Sequence, residues 1–267
     1  MKIKIGPAGL GPVKTAEKIL KEYKKFGFGN AEISFTHSVY MKEPDAIRIG
    51  KLAKEQGIDL SIHGQYFVNL NSPEKEKIAA SKQRILKCCE IGHALGAKSI
   101  VFHAGFYGPK YPKADDEGKK QIEEDTFQNT KNNIIEMMGV IKEKKWDVEL
   151  CPETMGKINV FGSVEEIARL VNETGCGFCI DFAHILARDK KVDYKRIIDA
   201  FPQDKWHCHF SGIEYTEKGE RNHINLETGQ WKELFDNLPG DRDITIVCES
   251  PNRIEDSVEG IGILGKY

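Results

Sequence analysis

The sequence has little that would place it in a membrane or outside the cell. No hydrophobic run approaches the roughly 18 residues that a membrane helix needs. The N-terminal segment MKIKIGPAG leads directly into a strand-like pattern, so we expect no signal peptide. Seven cysteines, an odd number without an extracellular spacing, indicate free thiols in a reducing compartment. We therefore expect a soluble, cytoplasmic protein with no membrane partner.

An excess of charge of one sign is also lacking. The chain carries 39 Lys and Arg against 41 Asp and Glu, for a formal net charge of -2. Nucleic-acid binding would therefore depend on a local basic patch or on bound cations, because the chain as a whole does not attract polyanions. Apolar residues make up 40% of the 267 positions, enough for a sizeable core. Because (β/α) barrels of about 250 residues form one domain, we expect a single domain over residues 1–267.

Linkers are absent, and short apolar runs alternate with amphipathic segments. Strands are expected near residues 2–6, 31–35, 58–63, 98–103, 147–153, 177–181, 205–210 and 244–249. Helices are expected near residues 14–26, 44–56, 73–95, 120–145, 164–174, 192–200, 229–237 and 253–264. Ser72 before Pro73, and the capping box that begins at Ser163, indicate helix starts; the expected helix ends are at Gly57, Gly96 and Gly175. Eight strands alternating with eight helices predict the α/β class and a single (β/α)8 TIM barrel.

Metal-capable side chains lie at the ends of six consecutive expected strands, where such a barrel carries its active site. In strand order they are His63, His103, Glu153, Asp181, His209 and Glu249, and His184 and His223 lie in the following loops. Imidazole and carboxylate groups gathered at one rim are the ligand set of a polynuclear zinc or manganese site. The chain is therefore expected to be a metal-dependent enzyme.

The remaining histidines and the cysteines near the ligands have other expected roles. His93 lies in a long helix, where a surface or packing role is expected. His207 shares a strand face with His209 and should pack lower in the barrel, whereas His37 follows strand two at the rim, where contact with a substrate phosphate stays open. Cys151 and Cys179 should be small core residues one layer below the ligands, and the lone Cys176-x-x-Cys179 pair is expected to be packing only.

The segment HGQYFVNLNSPEKEKIAASKQRILKCCEIGHALGAKSIVFHAG, with CPETMGK, DFAH, HFSG and CESP, resembles the endonuclease IV family of apurinic/apyrimidinic (AP) endonucleases, within the xylose-isomerase-like barrels. The resemblance runs from about residue 30 to residue 250. It implies a hydrolase of base excision repair that cleaves double-stranded DNA on the 5' side of abasic sites and leaves a 3'-hydroxyl. Metals suit this reaction because they neutralise the phosphodiester and lower the pKa of a bound water.

The resemblance also implies a ligand set for Zn²⁺, two or three ions per chain, with Mn²⁺ as an alternative. The first metal would be held by His63 and His103, with Glu153 bridging to the second; the second would be completed by Asp181, His209 and Glu249; the third would be held by His184 and His223. Of these residues, Glu153 and Glu249 are also implied to be catalytic.

One loop departs from the family pattern. Where the family usually has Asp-x-His in the loop after strand seven, this chain has GERNHINL, so that Arg221 stands in place of the carboxylate and Glu220 lies one residue earlier. Either Glu220 reaches the third metal through its longer side chain, or that metal is weak or absent.

DNA contacts would come from loops at the same rim. By resemblance, Tyr66 and Phe67 form the wedge that enters the duplex at an abasic site. The loop GFYGPKYPKADDEGKK also mixes aromatic and basic side chains that either meet backbone phosphates or form an ordinary solvated loop; these are Phe106, Tyr107, Tyr111, Lys110, Lys113, Lys119 and Lys120. The Arg-containing loop usual in the family after strand two is replaced by FTHSVYMK, so that one DNA-penetrating side chain is missing.

Two alternatives stay open. A divalent-metal sugar isomerase or epimerase of the same barrel type would need one Mn or Mg and only the quartet Glu153, Asp181, His209 and Glu249. His63, His103 and His223 argue against it, because a one-metal enzyme has no use for so many nitrogen ligands. A catalytically idle metal-binding or DNA-binding barrel is the third hypothesis. The DNA-cleaving protein is expected to act as a monomer.

Overall fold

Twelve strands and nine α-helices follow one another along residues 2–267, the part of the chain that the computed structural model describes. The strands are β1 (Lys2–Pro7), β2 (Asn30–Ser34), β3 (Asp59–His63), β4 (Ser99–Phe102), β5 (Gly105–Phe106), β6 (Glu149–Pro152), β7 (Val160–Phe161), β8 (Ile180–Asp181), β9 (Lys205–Phe210), β10 (Gly212–Thr216), β11 (Gly219–Ile224) and β12 (Asp243–Cys248). The α-helices are α1 (Ala16–Phe26), α2 (Glu43–Gln56), α3 (Lys75–Leu95), α4 (Asp116–Lys144), α5 (Val164–Thr174), α6 (Phe182–Asp189), α7 (Tyr194–Ala200), α8 (Gln230–Asn237) and α9 (Arg253–Leu264). Two short 3₁₀ helices lie at Val13–Thr15 and Tyr111–Lys113.

Eight of these strands form a closed parallel barrel. They pair in the orders β2-β3-β4-β6 and β1-β12-β9-β8. Parallel bridges between Ala8 and Glu32 and between Glu153 and Cys179 join the two halves. At the first seam a Cβ atom on Gly6 would lie 1.7 Å from the carbonyl oxygen of Asn30, so only glycine lets β1 approach β2 this closely. The α/β class and the TIM barrel expected from the alternation are confirmed.

The additions to the regular alternation lie at the carboxyl-terminal rim. The expectation of exactly eight strands and eight helices was wrong, because α6 follows β8 directly and a β10–β11 hairpin follows β9. A second small antiparallel pair, β5 with β7, lies in the loops after β4 and β6. Each of these pieces is at most eight residues long, too short for periodicity to separate it from a loop. All of them surround the mouth of the barrel.

Helix ends follow local chemistry. Gly57, Gly96 and Gly175 end their helices in the left-handed conformation, as expected. The capping box at Ser163 is also confirmed, since its Oγ accepts from the backbone N–H of Glu166 at 3.2 Å while the Glu166 carboxylate accepts from the Ser163 N–H at 2.9 Å. The helix start expected at Ser72 and Pro73 was wrong. There α3 begins at Lys75, because the Ser72 hydroxyl accepts from the Glu74 N–H at 3.2 Å and closes a turn before the helix.

The apolar core lies mainly between the barrel and its helices. On α5, Val164, Ile167 and Leu170 are buried in the core, and each contributes about 1.5 to 3 kcal/mol relative to an exposed position. Ile33 and Ile62 of the neighbouring strands are fully buried. Within residues 2–267, no helix combines the length and the apolarity needed to cross a membrane.

Candidate metal centre

The expected ligands come together at the carboxyl-terminal rim of the barrel. Each lies within one residue of the end of a barrel strand, except two that lie on the additional elements α6 and β11. Seven of the eight have donor atoms in overlapping groups within 4.8 Å of one another, composed of His63, Glu153 and His209; of Glu153, Asp181, His209 and Glu249; and of Asp181, His184 and His223. His103 is in none of these groups, but its Nε2 lies 3.0 Å from Oε2 of Glu153. His, Asp and Glu side chains in such groups can hold metal ions.

Glu153 is at the centre of this arrangement and is fully buried. Its Oε2 lies 3.3 Å from Nε2 of His63 and 3.0 Å from Nε2 of His103. Its Oε1 lies 3.1 Å from Nδ1 of His209 and 3.5 Å from Nδ1 of His184. The two carboxylate oxygens therefore face two different groups of imidazoles, which is the disposition of a bridging ligand.

A helix cap explains the DFAH motif. Asp181 ends β8 and is the N-cap of α6, where its Oδ1 accepts from the backbone N–H of His184 at 2.7 Å. This cap places His184 in the first turn of α6, with Nδ1 3.5 Å from the other oxygen, Oδ2. Among the residues that the structure describes, this buried Oδ2 has no hydrogen-bond partner. A buried carboxylate oxygen that lies among imidazoles and has no hydrogen-bond partner fits the role of a metal ligand.

The β10–β11 hairpin brings Glu220 to the rim. Glu214 pairs with Asn222 but Tyr215 pairs with Glu220, so Arg221 is the extra residue of a β-bulge. The bulge puts Glu220 on the face of His223, which is three residues further along β11, whereas Arg221 is exposed and pairs with Glu214 at 3.2 Å.

Glu220 Oε2 lies 3.4 Å from Nε2 of His184, and that nitrogen is 3.3 Å from Nε2 of His223. Glu220 Oε2 is buried without a hydrogen-bond partner within residues 2–267. A Cβ atom on Gly156 would lie 2.6 Å from the Cβ of Glu220, so the carboxylate fits only beside glycine. These contacts favour the first of the two alternatives for this loop, in which Glu220 reaches the third donor group.

Glu32 is a buried carboxylate that sequence reasoning missed. It lies on β2, is fully buried, and contacts His209 from the side opposite Glu153. His207 lies 3.3 Å from the same carboxylate and two residues below His209 on β9, in agreement with its expected position lower in the barrel. The available signal was a lone acid inside the buried strand NAEIS, where a surface charge is not expected.

Opposite charges set the pKa values of the metal-free centre. Burial would lower the pKa of His63, but the hydrogen bond and charge of Glu153 raise it to about 9. Burial also opposes the charged form of His184, whose pKa is raised to about 9, first by Asp181. Burial would raise the pKa of Glu153, yet the charge of His209 and hydrogen bonds from the surrounding imidazoles hold it well below the usual range. In the metal-free centre, the imidazolium charges therefore compensate the buried carboxylates, and bound metal ions would take over that compensation.

The residues expected to contact DNA differ in exposure. Tyr66 and Phe67 are 54% and 66% exposed, and the Tyr66 ring lies 5.3 Å from the ring of His103. Lys110 and Lys113 are exposed in the loop after β5. They and the two aromatic residues can meet a macromolecule at the rim.

Tyr107 and Tyr111 are not available for such contacts, which corrects that part of the loop interpretation. Tyr107 is 6% exposed, stacks on Tyr111 at 4.3 Å and donates a hydrogen bond to Glu166 at 2.7 Å. Tyr111 likewise donates to Glu123 at 2.6 Å. Both hydroxyls are satisfied inside the protein, so these rings anchor the loop.

The two remaining histidines lie on the surface, and the cysteines are buried. His93 is exposed on α3, and its Nδ1 accepts from the backbone N–H of Asp147 at 3.1 Å. His37 is exposed at the rim, 6.5 Å from the ring of Phe67. All seven cysteines lie in the described part of the chain, and each is a buried free thiol.

A cavity of about 230 Å³ opens over the candidate ligands and is lined also by Tyr66 and Arg253. Two larger cavities, of about 490 and 700 Å³, lie at the amino-terminal end of the barrel and contain none of the candidate ligands. Barrels of this fold carry their chemistry at the carboxyl-terminal face, so the smaller cavity is the candidate substrate site.

The fold and this rim define an α/β barrel with groups that can bind metal. Comparison of the chain with known proteins agrees with this class. The model of the xylose isomerase-like TIM barrel family matches residues 20–267. An uncharacterised protein of Methanocaldococcus jannaschii is 33% identical over 95% of this chain and 93% of its own length. The chain belongs to the xylose isomerase-like TIM barrel family.

More distant similarities include both nucleases and sugar epimerases. A probable endonuclease 4 of Mycobacterium leprae is 23% identical over 71% of each chain. Endonuclease IV from Thermus thermophilus superposes with a TM-score of 0.70 at 17% identity over 98% of each chain. D-psicose 3-epimerase from Clostridium cellulolyticum superposes with a TM-score of 0.69 at 11% identity, again over 98% of each chain. The fold alone therefore does not separate the two activities.

Proposed function

We propose that this protein is a metal-dependent AP endonuclease that hydrolyses the phosphodiester 5' to abasic sites in double-stranded DNA. The observation that carries the proposal is the pair of imidazoles beside Glu153 Oε2, at 3.3 Å for His63 and 3.0 Å for His103. A one-metal isomerase needs only the quartet around Glu153 Oε1. Nitrogen donors on the far side of the same carboxylate call for a second metal.

The donors divide into three sets around the shared carboxylate. His63 and His103, which both lie near Oε2 of Glu153, would hold the first metal together with that carboxylate. The second would be held by Glu153, Asp181, His209 and Glu249, and the third by His184, His223 and Glu220. Nitrogen and carboxylate donors suit Zn²⁺, with Mn²⁺ as the alternative. Bound metals would supply neutralisation of the phosphodiester and activation of water; the protein supplies their spacing through Glu153.

The residues around the cavity suit an anionic duplex substrate. Tyr66 and Phe67 are exposed, and the Tyr66 ring lies 5.3 Å from the ring of His103, where an aromatic wedge would fill the gap left by a missing base. Arg253 lines the cavity, and Lys110 and Lys113 are exposed in the loop after β5, so basic side chains are available to phosphates although the net charge of the chain is -2.

The sequence similarities favour the nuclease over the epimerase. The similarity to the probable endonuclease 4 extends through 71% of the chain at the level of sequence, whereas the epimerase matches in fold at 11% identity. We further propose that residues 1–267 form one domain and that the protein acts as a cytoplasmic monomer in base excision repair.

A duplex with one tetrahydrofuran abasic analogue tests the proposal. This analogue cannot undergo β-elimination, so strand cleavage requires hydrolysis. We expect cleavage 5' to the analogue with Zn²⁺ or Mn²⁺, no cleavage of the matched intact duplex, and loss of activity with chelator that returns on adding metal. Ketohexose epimerisation with Mn²⁺ is the parallel assay. Epimerisation without cleavage by the metal-loaded protein would contradict the proposal and favour the sugar epimerase.

A further inference from the structure

Glu32 is a charged residue inside the barrel that belongs to none of the three proposed donor sets. It is fully buried on β2, and its Oε2 lies 3.3 Å from Nε2 of His209. Oε1 approaches the same nitrogen to 3.2 Å but outside hydrogen-bonding geometry, so Oε2 is the acceptor. The other ring nitrogen of His209, Nδ1, faces Glu153 Oε1 at 3.1 Å and Glu249 Oε2 at 3.5 Å. One imidazole therefore separates Glu32 from the candidate metal centre.

The surroundings hold the Glu32 carboxylate in one orientation. Ser61 Oγ donates to Oε2 at 2.8 Å, and Nε2 of His207 lies 3.3 Å from the same oxygen. Three donors from three directions converge on one oxygen atom. A buried carboxylate is strongly unfavourable unless it is hydrogen-bonded and compensated, so its place beside His209 calls for a specific role.

We propose that Glu32 is a positioning residue for His209. Its carboxylate accepts the Nε2–H of the ring, which fixes the tautomer and the ring plane and directs the Nδ1 lone pair toward Glu153, Asp181 and Glu249. Ser61 and His207 in turn hold Glu32. The inference rests on the metal centre of the proposed function but not on its substrate.

The physical reason is that an imidazole ligand has two nitrogens and only one can face the metal. A neutral ring carries its proton on one nitrogen, and a hydrogen bond at that nitrogen decides which one is free to coordinate. A carboxylate at Nε2 both fixes that choice and increases the basicity of Nδ1. Loss of such an outer partner typically lowers metal affinity about 10- to 100-fold.

Glu32→Gln tests the assignment because it keeps the side-chain shape and removes the charge. A glutamine amide can donate to Nε2, which would favour a proton on Nδ1 and block coordination. In metal-free protein titrated with Zn²⁺, we expect the Kd of at least one site to rise about 10- to 100-fold. In the zinc-loaded wild type, ring ¹⁵N NMR should place the His209 proton on Nε2, and the variant should lose or shift that signal.

Ser61→Ala is the matched control, because it removes a hydrogen bond to Glu32 of 2.8 Å without touching His209. If Glu32 only satisfies a buried polar network, both variants should lower the thermal midpoint and neither should change Zn²⁺ affinity or the His209 signal. That result would overturn the inference. A wild-type protein that binds no divalent metal would overturn it together with the proposed function. Normal metal binding and a strong Glu32→Gln effect without cleavage of abasic DNA would support the positioning role and reject only the nuclease.

Discussion

Replacing His103 with alanine separates a multinuclear centre from a one-metal centre. His103 Nε2 lies 3.0 Å from Glu153 Oε2, whereas Nδ1 of His209 lies 3.1 Å from the other oxygen, Oε1. In the proposed assignment the first metal has three protein donors, and the substitution leaves His63 and Glu153. The quartet around the second metal keeps all its members.

The expected size of the effect follows from the donor count. Loss of an outer hydrogen-bond partner already lowers metal affinity about 10- to 100-fold, so loss of one of three direct donors should exceed the upper end of that range. A hundredfold change corresponds to about 2.8 kcal/mol of binding free energy. At metal concentrations that just fill the wild-type sites, the variant should lack about one ion per chain.

Elemental analysis after dialysis against limiting Zn²⁺ measures this directly, and cleavage of the abasic duplex should fall together with metal content. His93→Ala is the control, because it removes an exposed imidazole on α3 whose partner is the Asp147 backbone, outside the centre. A His103→Ala protein with wild-type stoichiometry and intact melting behaviour would refute the multinuclear assignment and favour a one-metal isomerase.

Three further outcomes follow from the structure. Glu153→Gln should keep the fold but lower cleavage at least about a hundredfold, because the bridging charge is lost; near wild-type cleavage by metal-loaded variant would reject the bridge. Changing Tyr66 and Phe67 together to alanine should leave metal content and thermal midpoint unchanged but weaken abasic-duplex binding by about 2 to 4 kcal/mol; a lowered midpoint with an unchanged abasic-to-intact ratio would reject the wedge. The cysteines should resist thiol reagents at pH 8 in the native protein, since burial raises the pKa of Cys88 to about 12 and thiolate forms only as pH approaches that value; fast reaction of any thiol before unfolding would contradict this.

The barrel was predictable because its signals are local and repeated. The alternating KIKI pattern of β1 and the capped amphipathic pattern of α5 predict these elements without any tertiary information. The rule that active sites lie at strand ends then selects His63 and Glu153 among many polar residues. The residues of the candidate centre could therefore be predicted from the sequence, because the strand order of a barrel determines which strand ends become neighbours.

The remainder depended on contacts between elements distant in the chain. Glu32 pairs with side chains 29 and 177 residues away, Ser61 and His209, and only closure of the barrel shows that its carboxylate faces inward. Tyr107 and Tyr111 appear in the sequence as exposed loop aromatics, but their hydroxyls donate to acids of α5 and α4, and Tyr107 is buried while Tyr111 is half-buried. No periodicity within a single segment encodes such pairings.

The hairpin at Glu220 shows how a departure from a motif can leave the donor geometry in place. In a regular strand, side chains two residues apart share a face, which suits Asp-x-His. Here Arg221 occupies a bulge, so side chains three residues apart, Glu220 and His223, share a face. Oε2 of Glu220 then lies 3.4 Å from Nε2 of His184. The longer glutamate side chain and the open space over Gly156 accommodate the change. A search for Asp-x-His alone would therefore miss Glu220, which the bulge brings to His184 and His223 in the proposed third donor set.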